Sequence, residues 1–125
     1  MKIITFDGVD LEDSFILGWY FDFAVKKLVF DLEVSLWQGN KYYTPPVNGE
    51  YTCYKRGTLV FDDVQSIDGL LPMDSVKHTN DIDGSIDYGN VESLRCESDD
   101  TYKVDGDFGE VSVHCRDVRL EINDV

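Results

Sequence analysis

The sequence predicts an all-β fold: one domain, residues 1–125, folded as an antiparallel β-sandwich or barrel of about 7–9 strands built from sequential hairpins. Three observations predict it. Two adjoining runs alternate apolar and polar residues with period 2. Turn dipeptides separate further strand-like runs, and no stretch repeats or shows the 3.6-residue period of an amphipathic helix. At 125 residues the chain is long enough for one core without disulfide staples.

The organising stretch is 14–37. Phe15, Leu17, Trp19, Phe21 and Phe23 occupy odd positions, and after Ala24-Val25-Lys26-Lys27 the apolar series moves to Leu28, Phe30, Leu32, Val34 and Leu36. Two such runs joined by a polar-tipped link predict a hairpin with one apolar face. Pairing Phe23 with Leu28 sets Trp19 opposite Leu32, although a slip of two residues would keep the same face together. Before it, Ile3-Ile4 and Phe6 form a short edge strand ending at the Asp7-Gly8 turn.

After the hairpin, 38–49 contains Gly39-Asn40 and Pro45-Pro46 and reads as a loop. A second hairpin is expected around Lys55-Arg56-Gly57, pairing Tyr51 with Phe61 and Cys53 with Leu59. Alternation fails over 68–90, which is expected to be a long acidic loop with one helical turn near 73–77. Strands resume at 91–97, 101–104 and 108–115, with a tight turn at Asp105-Gly106. Parity breaks at Arg116-Asp117, which predicts a bulge or bend before Val118, Leu120 and Ile122.

Charge is the second informative property. The net charge is −14, and residues 62–107 hold 13 acids against 3 bases. Such a field repels nucleic-acid phosphates and anionic lipid, and attracts a basic partner. The plainer role of the same acids is solubility. No run approaches the roughly 20 apolar residues of a membrane-spanning helix, and the start MKIITFDGVD carries no signal-like apolar region. Cys53, Cys96 and Cys115 are odd in number and widely spaced, which predicts free, inert thiols and a cytoplasmic setting.

Catalytic and metal chemistry find no footing. His114 and Cys115 are strand neighbours and point to opposite faces, so they form no Cys–His pair, and His114 is read as a surface residue. G-x-S-x-G, S-x-x-K and H-E-x-x-H motifs are absent, as are closely spaced zinc-ligand pairs. Asp81, Asp83 and Asp87 around Gly84 have calcium-loop spacing, but Thr79 and Asn90 replace the terminal acids. The expectation is no enzyme, metal or cofactor.

Recognition surfaces remain. Trp37, Tyr42 and Tyr43 lie in or beside the proline-containing loop, where they either cap the core or anchor a partner. An Asp13-Ser14 start to an aromatic hairpin, a turn at Arg56-Gly57 and a terminal V-R-L-E-I strand resemble small bacterial β-domains, some families of which include immunity proteins that neutralise co-encoded toxins. The resemblance covers most of the chain in layout and implies an interaction domain; no functional residue carries over from it. The expected function is therefore an acidic protein-interaction domain, an immunity-type inhibitor of a basic toxin in its narrowest form. Asp81, Asp83, Asp87, Asp99 and Asp100 supply a steering surface beside Trp37, Tyr42 and Tyr43. The alternatives are a small-molecule-binding barrel with those three rings at its mouth, or a domain that self-assembles through edge strands.

Overall fold

Strand β3 (Lys27–Leu36) is the spine of the molecule: Leu28, Phe30, Leu32, Val34 and Leu36 are all fully buried. The computed structural model describes residues 2–46, 49, 52–80 and 86–123. Among them are eleven strands and one 3-10 turn. In chain order the strands are β1 (Lys2–Ile3), β2 (Val9–Asp22), β3, β4 (Cys53–Asp62), β5 (Ser66–Asp68), β6 (Thr79–Asn80), β7 (Ile86–Asp87), β8 (Val91–Ser98), β9 (Thr101–Gly106), β10 (Gly109–His114) and β11 (Asp117–Ile122). A five-stranded sheet, β1-β8-β9-β10-β5, covers a four-stranded sheet, β11-β4-β3-β2, and every pairing is antiparallel. The sheets form a sandwich rather than a barrel. Among the described residues they are bridged at Phe15–Asn90, flanked by hydrogen bonds between Ile16 and the Tyr88–Gly89 backbone.

The β2–β3 hairpin forms with the two-residue slip. Phe21 lies opposite Leu28 and Trp19 opposite Phe30. Phe23 falls in the turn and is 84% exposed, so it is not part of the core wall. A four-residue turn costs little there, because Asp22 Oδ1 accepts the Ala24 N–H at 3.0 Å. Register shifts before Phe15 and after Ile16 then reverse the parity of β2. Ile16 takes the core position expected of Phe15 and Leu17, and Phe15 turns outward against the Tyr54 ring at 5.8 Å.

Residues 53–62 are one continuous strand between β3 and β11, so the predicted hairpin at Lys55-Arg56-Gly57 does not form. Gly57 is there for space. A Cβ on it would meet Glu121 O at 2.7 Å and Val34 Cγ2 at 2.9 Å. The acidic segment is also more structured than its pattern suggests: β5 adds to β10, Met73–Ser75 is the expected turn of helix, and β6 pairs with β7. The turn between β9 and β10 is Asp107-Phe108 rather than Asp105-Gly106, and it buries Phe108 completely. The parity break at Arg116 is the point where the chain leaves β10 in one sheet for β11 in the other.

Aromatic rings join the layers. Phe30 packs 4.9 Å from Phe108 and 6.2 Å from both Trp19 and Phe61, at tilted angles favourable to aromatic pairs. Trp19 Nε1 donates to Leu71 O at 3.2 Å, tying the acidic segment to β2. At the β10–β11 crossing, Arg119 Nε donates to Asp62 Oδ2 at 2.7 Å and Lys27 Nζ lies 3.6 Å from Oδ1. The Arg119 hydrogen bond outweighs burial and holds the Asp62 carboxyl below its ordinary 3.8.

Two stability outcomes follow from these contacts. Gly57→Ala should lower stability by about 1–3 kcal/mol, because backbone supplies the nearest clash, and urea unfolding should show a lower midpoint with an unchanged slope. Asp62→Asn should cost about 1–3 kcal/mol at neutral pH. Because the folded-state pKa is depressed, the natural chain keeps this contribution above the unfolded value of 3.8 and loses it as pH falls through the folded one. The two chains should therefore converge in strong acid, and a constant difference would contradict this assignment.

Candidate functional site

The N-terminal segment, the first half of β2 and the start of β8 diverge to leave a cleft of about 860 Å³. Three local features make it. Gly8, at φ 68°, turns the chain back so that Val9 N–H reaches Phe6 O at 3.1 Å, and Gly8 O accepts the Trp37 N–H at 2.9 Å. A side chain at Gly8 would meet Asn40 Cβ at 2.7 Å, so the turn sits directly on the 37–40 loop. The second feature is the irregular stretch of β2 between Asp10 and Phe15. Buried Ser14 bridges the break: its hydroxyl donates to Asp10 O at 2.7 Å and accepts the Ser35 N–H at 2.9 Å. Third, β1 pairs β8 at Cys96 and Arg95, then ends with Ile4 N–H on Leu94 O at 3.0 Å.

The floor is apolar. Val9, Val91 and Leu94 are core residues, and Ile4, Phe6 and Leu11 pack against that core half-buried. Ile3, 69% exposed, and Trp37, 55% exposed, stand at its margin. Four carboxylates line it, Asp10 and Glu12 from β2 and Glu92 and Glu97 from β8, against the single guanidinium of Arg95. That cation is already engaged: Arg95 Nη1 lies 2.7 Å from Asp105 Oδ2, and Nε lies 2.9 Å from Glu97 Oε1. Burial raises the Asp105 carboxyl, but hydrogen bonds from Arg95 and Ser93 prevail and hold it below its ordinary value. Asp10, Glu12 and Glu92 make no ion pair among the described residues. The cleft thus combines an apolar surface with uncompensated negative charge.

The residues singled out from the sequence are scattered. Trp37 belongs to this cleft. Tyr42 lies in a second cleft of about 640 Å³ beside β11, with Lys41 Nζ 5.0 Å from its ring centre. Tyr42 and Tyr43 are half-buried against the core, so they largely cap it. Because the molecule is a sandwich and Trp37 and Tyr42 line different clefts, no barrel mouth is formed by the three rings. Asp87 is half-buried in β7 and accepts the Gly89 N–H at 3.1 Å. Asp99 and Asp100 form the exposed β8–β9 turn. Asp100 O accepts the Cys115 N–H and Arg116 N–H reaches Asp62 O, which puts that turn near the first residues of β3. Trp37 follows the last, about 30 Å away at the rise of an extended strand. Asp81 and Asp83, with most of the candidate calcium loop, lie outside the described residues.

His114 is exposed on the outer face of the five-stranded sheet, opposite Thr101 and Ser66. Among the described residues no group of three His, Cys, Asp or Glu side chains converges as metal ligands. All three cysteines are free; Cys53 and Cys115 are buried and Cys96 half-buried. Burial, aided by the nearby Asp117, Asp62 and Asp100, pushes the Cys115 thiol up to about 12. No helix among the described residues is long and apolar enough to cross a membrane. No protein-family model, curated protein or solved structure matches the chain.

Ser14→Ala should leave the Ser35 N–H without its acceptor and cost about 1–3 kcal/mol. Hydrogen exchange at Ser35 should accelerate more than at Phe30, deep in the same strand. Equal protection at both in the variant would show that the hydroxyl does not hold the irregular stretch of β2.

Proposed function

We propose that the protein is a non-enzymatic binding module for a basic protein partner, with the cleft between β2 and β8 as its contact site. The observation that carries this reading is the lining of the cleft: an apolar floor with Trp37 at its margin, carboxylates on both walls, and no histidine or cysteine among the described lining residues. Apolar area and an exposed aromatic anchor supply binding energy, while unpaired carboxylates select a partner of opposite charge. Asp87, Asp99 and Asp100, outside the cleft, act at longer range by steering the encounter, and the charges of Asp81 and Asp83 add to that field.

The narrower form is an immunity-type inhibitor that covers the cationic surface of a toxin. The layout resemblance and the charge of −14 support it, and the three free thiols fit a cytoplasmic setting for it. A second reading rests on size. A cleft of about 860 Å³ lies within the range that encloses small molecules, which favours a cationic amphiphile if no protein partner exists.

The test is a pull-down with the full chain, identification of the captured protein, and measurement of its affinity at two ionic strengths. The expected partner is basic, and its affinity falls about tenfold or more between about 0.05 M and about 0.5 M salt, as screening shortens the reach of the field. Reversing Asp99 and Asp100 to lysine should slow association and leave dissociation almost unchanged. A neutral or acidic partner, or an affinity indifferent to salt, would contradict the proposal.

A further inference from the structure

We propose that the cleft takes a short extended segment of the partner in which apolar and cationic side chains alternate. The proposal rests on the binding-module reading and specifies what it recognises.

The sheet edge beside the cleft is incomplete. On the side of β8 away from β9, the N-terminal segment is hydrogen-bonded as far as Leu94 and then turns off toward Gly8. On the same side β2 reaches the chain just ahead of β8, through the Phe15–Asn90 bridge and the hydrogen bonds at Ile16. Between these contacts, Val91 and Ser93 pair with β9 and with no other described strand, and Glu92 lies at a register shift between them. In a strand, backbone groups point alternately to its two edges. Leu94 O faces the N-terminal segment, and the register shift at Glu92 leaves that residue outside the paired positions of the β8–β9 ladder, beside the cleft. An extended chain laid there gains a backbone partner, the usual gain of strand addition.

Polar and apolar groups of the cleft are separated as well. An extended segment sends successive side chains in opposite directions. One set would meet the floor of Ile4, Phe6 and Leu11; the other would meet the carboxylates of Asp10, Glu12 and Glu92. Those three acids have no cation among the described residues, and Arg95 is already occupied by Asp105 and Glu97. Trp37 at the margin offers a ring face to a passing lysine or arginine. An acidic, purely polar or purely apolar segment satisfies only part of this surface. Nucleic acid and anionic lipid are disfavoured by the same charge.

The probes are two fluorescein-labelled, end-capped hexapeptides of equal charge, one alternating lysine with leucine and the other lysine with serine. Polarisation titrations use the full chain in about 0.15 M salt, near the physiological screening length. The expected result is a lysine–leucine affinity about tenfold or more above that of lysine–serine. Glu92→Lys and Glu12→Gln should weaken the first peptide, by about tenfold and about threefold. Glu110→Lys, on the exposed β10 surface outside the cleft, should leave it within about twofold. Circular dichroism and melting confirm that each variant is folded.

Equal affinity for the two peptides, or equal loss from Glu110→Lys and Glu92→Lys, overturns the cleft assignment. The basic-partner reading survives that result if the captured partner still binds with strong salt dependence. Absence of a basic partner in the pull-down, with the cleft still selecting the lysine–leucine peptide, overturns the protein-partner reading alone and points to a cationic amphiphile.

Discussion

The contact between Phe30 and Phe108 is what the remaining architecture depends on. Phe30 lies in the middle of β3, one of the two inner strands of the four-stranded sheet, and Phe108 is delivered by the β9–β10 turn of the other sheet. Both rings are fully buried, and Trp19 packs on each of them, at 6.2 and 5.9 Å. Burying side chains of this size is worth about 1.5–3 kcal/mol each before packing terms. The same group fixes the acidic segment, because Trp19 also bonds Leu71 and lies 5.2 Å from Tyr88. A chain with this much charge stays folded because most of its negative groups are outside a continuous apolar interior that these rings bind together, and buried Asp62 is paired with Arg119.

Where the sandwich is not closed, the same physics gives a surface with an incomplete complement of contacts. The sheets converge at Phe15 and Asn90 and separate toward Val9 and Leu94. The Gly8 turn and the Ser14 hydroxyl stabilise that separation by satisfying backbone groups that a regular ladder would otherwise pair. The result is half-buried apolar area beside three carboxylates, Asp10, Glu12 and Glu92, that make no ion pair among the described residues. A few carboxylates are resolved internally, as at Asp62 with Arg119 and Lys27, or Asp105 with Arg95. The meeting of half-buried apolar area with Asp10, Glu12 and Glu92 in one concave surface is the physical basis for reading the cleft as a place of recognition.

Much of the fold was legible in local pattern, and the exceptions share one cause. In β3 every even position from Leu28 to Leu36 is apolar and Val29 is the single apolar residue between them, so the face toward the other sheet could be read residue by residue. In β2 the run Phe15-Ile16-Leu17 is apolar throughout, and no polar residue marks the irregularity that turns Ile16 inward. Lys55-Arg56-Gly57 carries every local sign of a turn, but the crowding that demands a glycine comes from Glu121 and Val34, distant in the chain. The candidate site was hidden for the same reason. Trp37 was visible as an aromatic beside a loop, whereas Asp10 and Glu12 meet Glu92 and Glu97 only through the meeting of the two sheets. The clustered acids of 62–107 drew attention by density; of these, Asp99 and Asp100 lie at the opposite end of β3 from Trp37.

The central claim is that recognition occurs at this open edge and not on the closed faces of the sandwich. Hydrogen exchange on the full chain, with and without saturating lysine–leucine hexapeptide, tests it most directly. Recognition at the open edge should slow exchange over residues 9–12 and 91–94, with the 98–101 turn and β11 unchanged. Protection centred on the 98–101 turn or on β11, with none at the cleft, would contradict it.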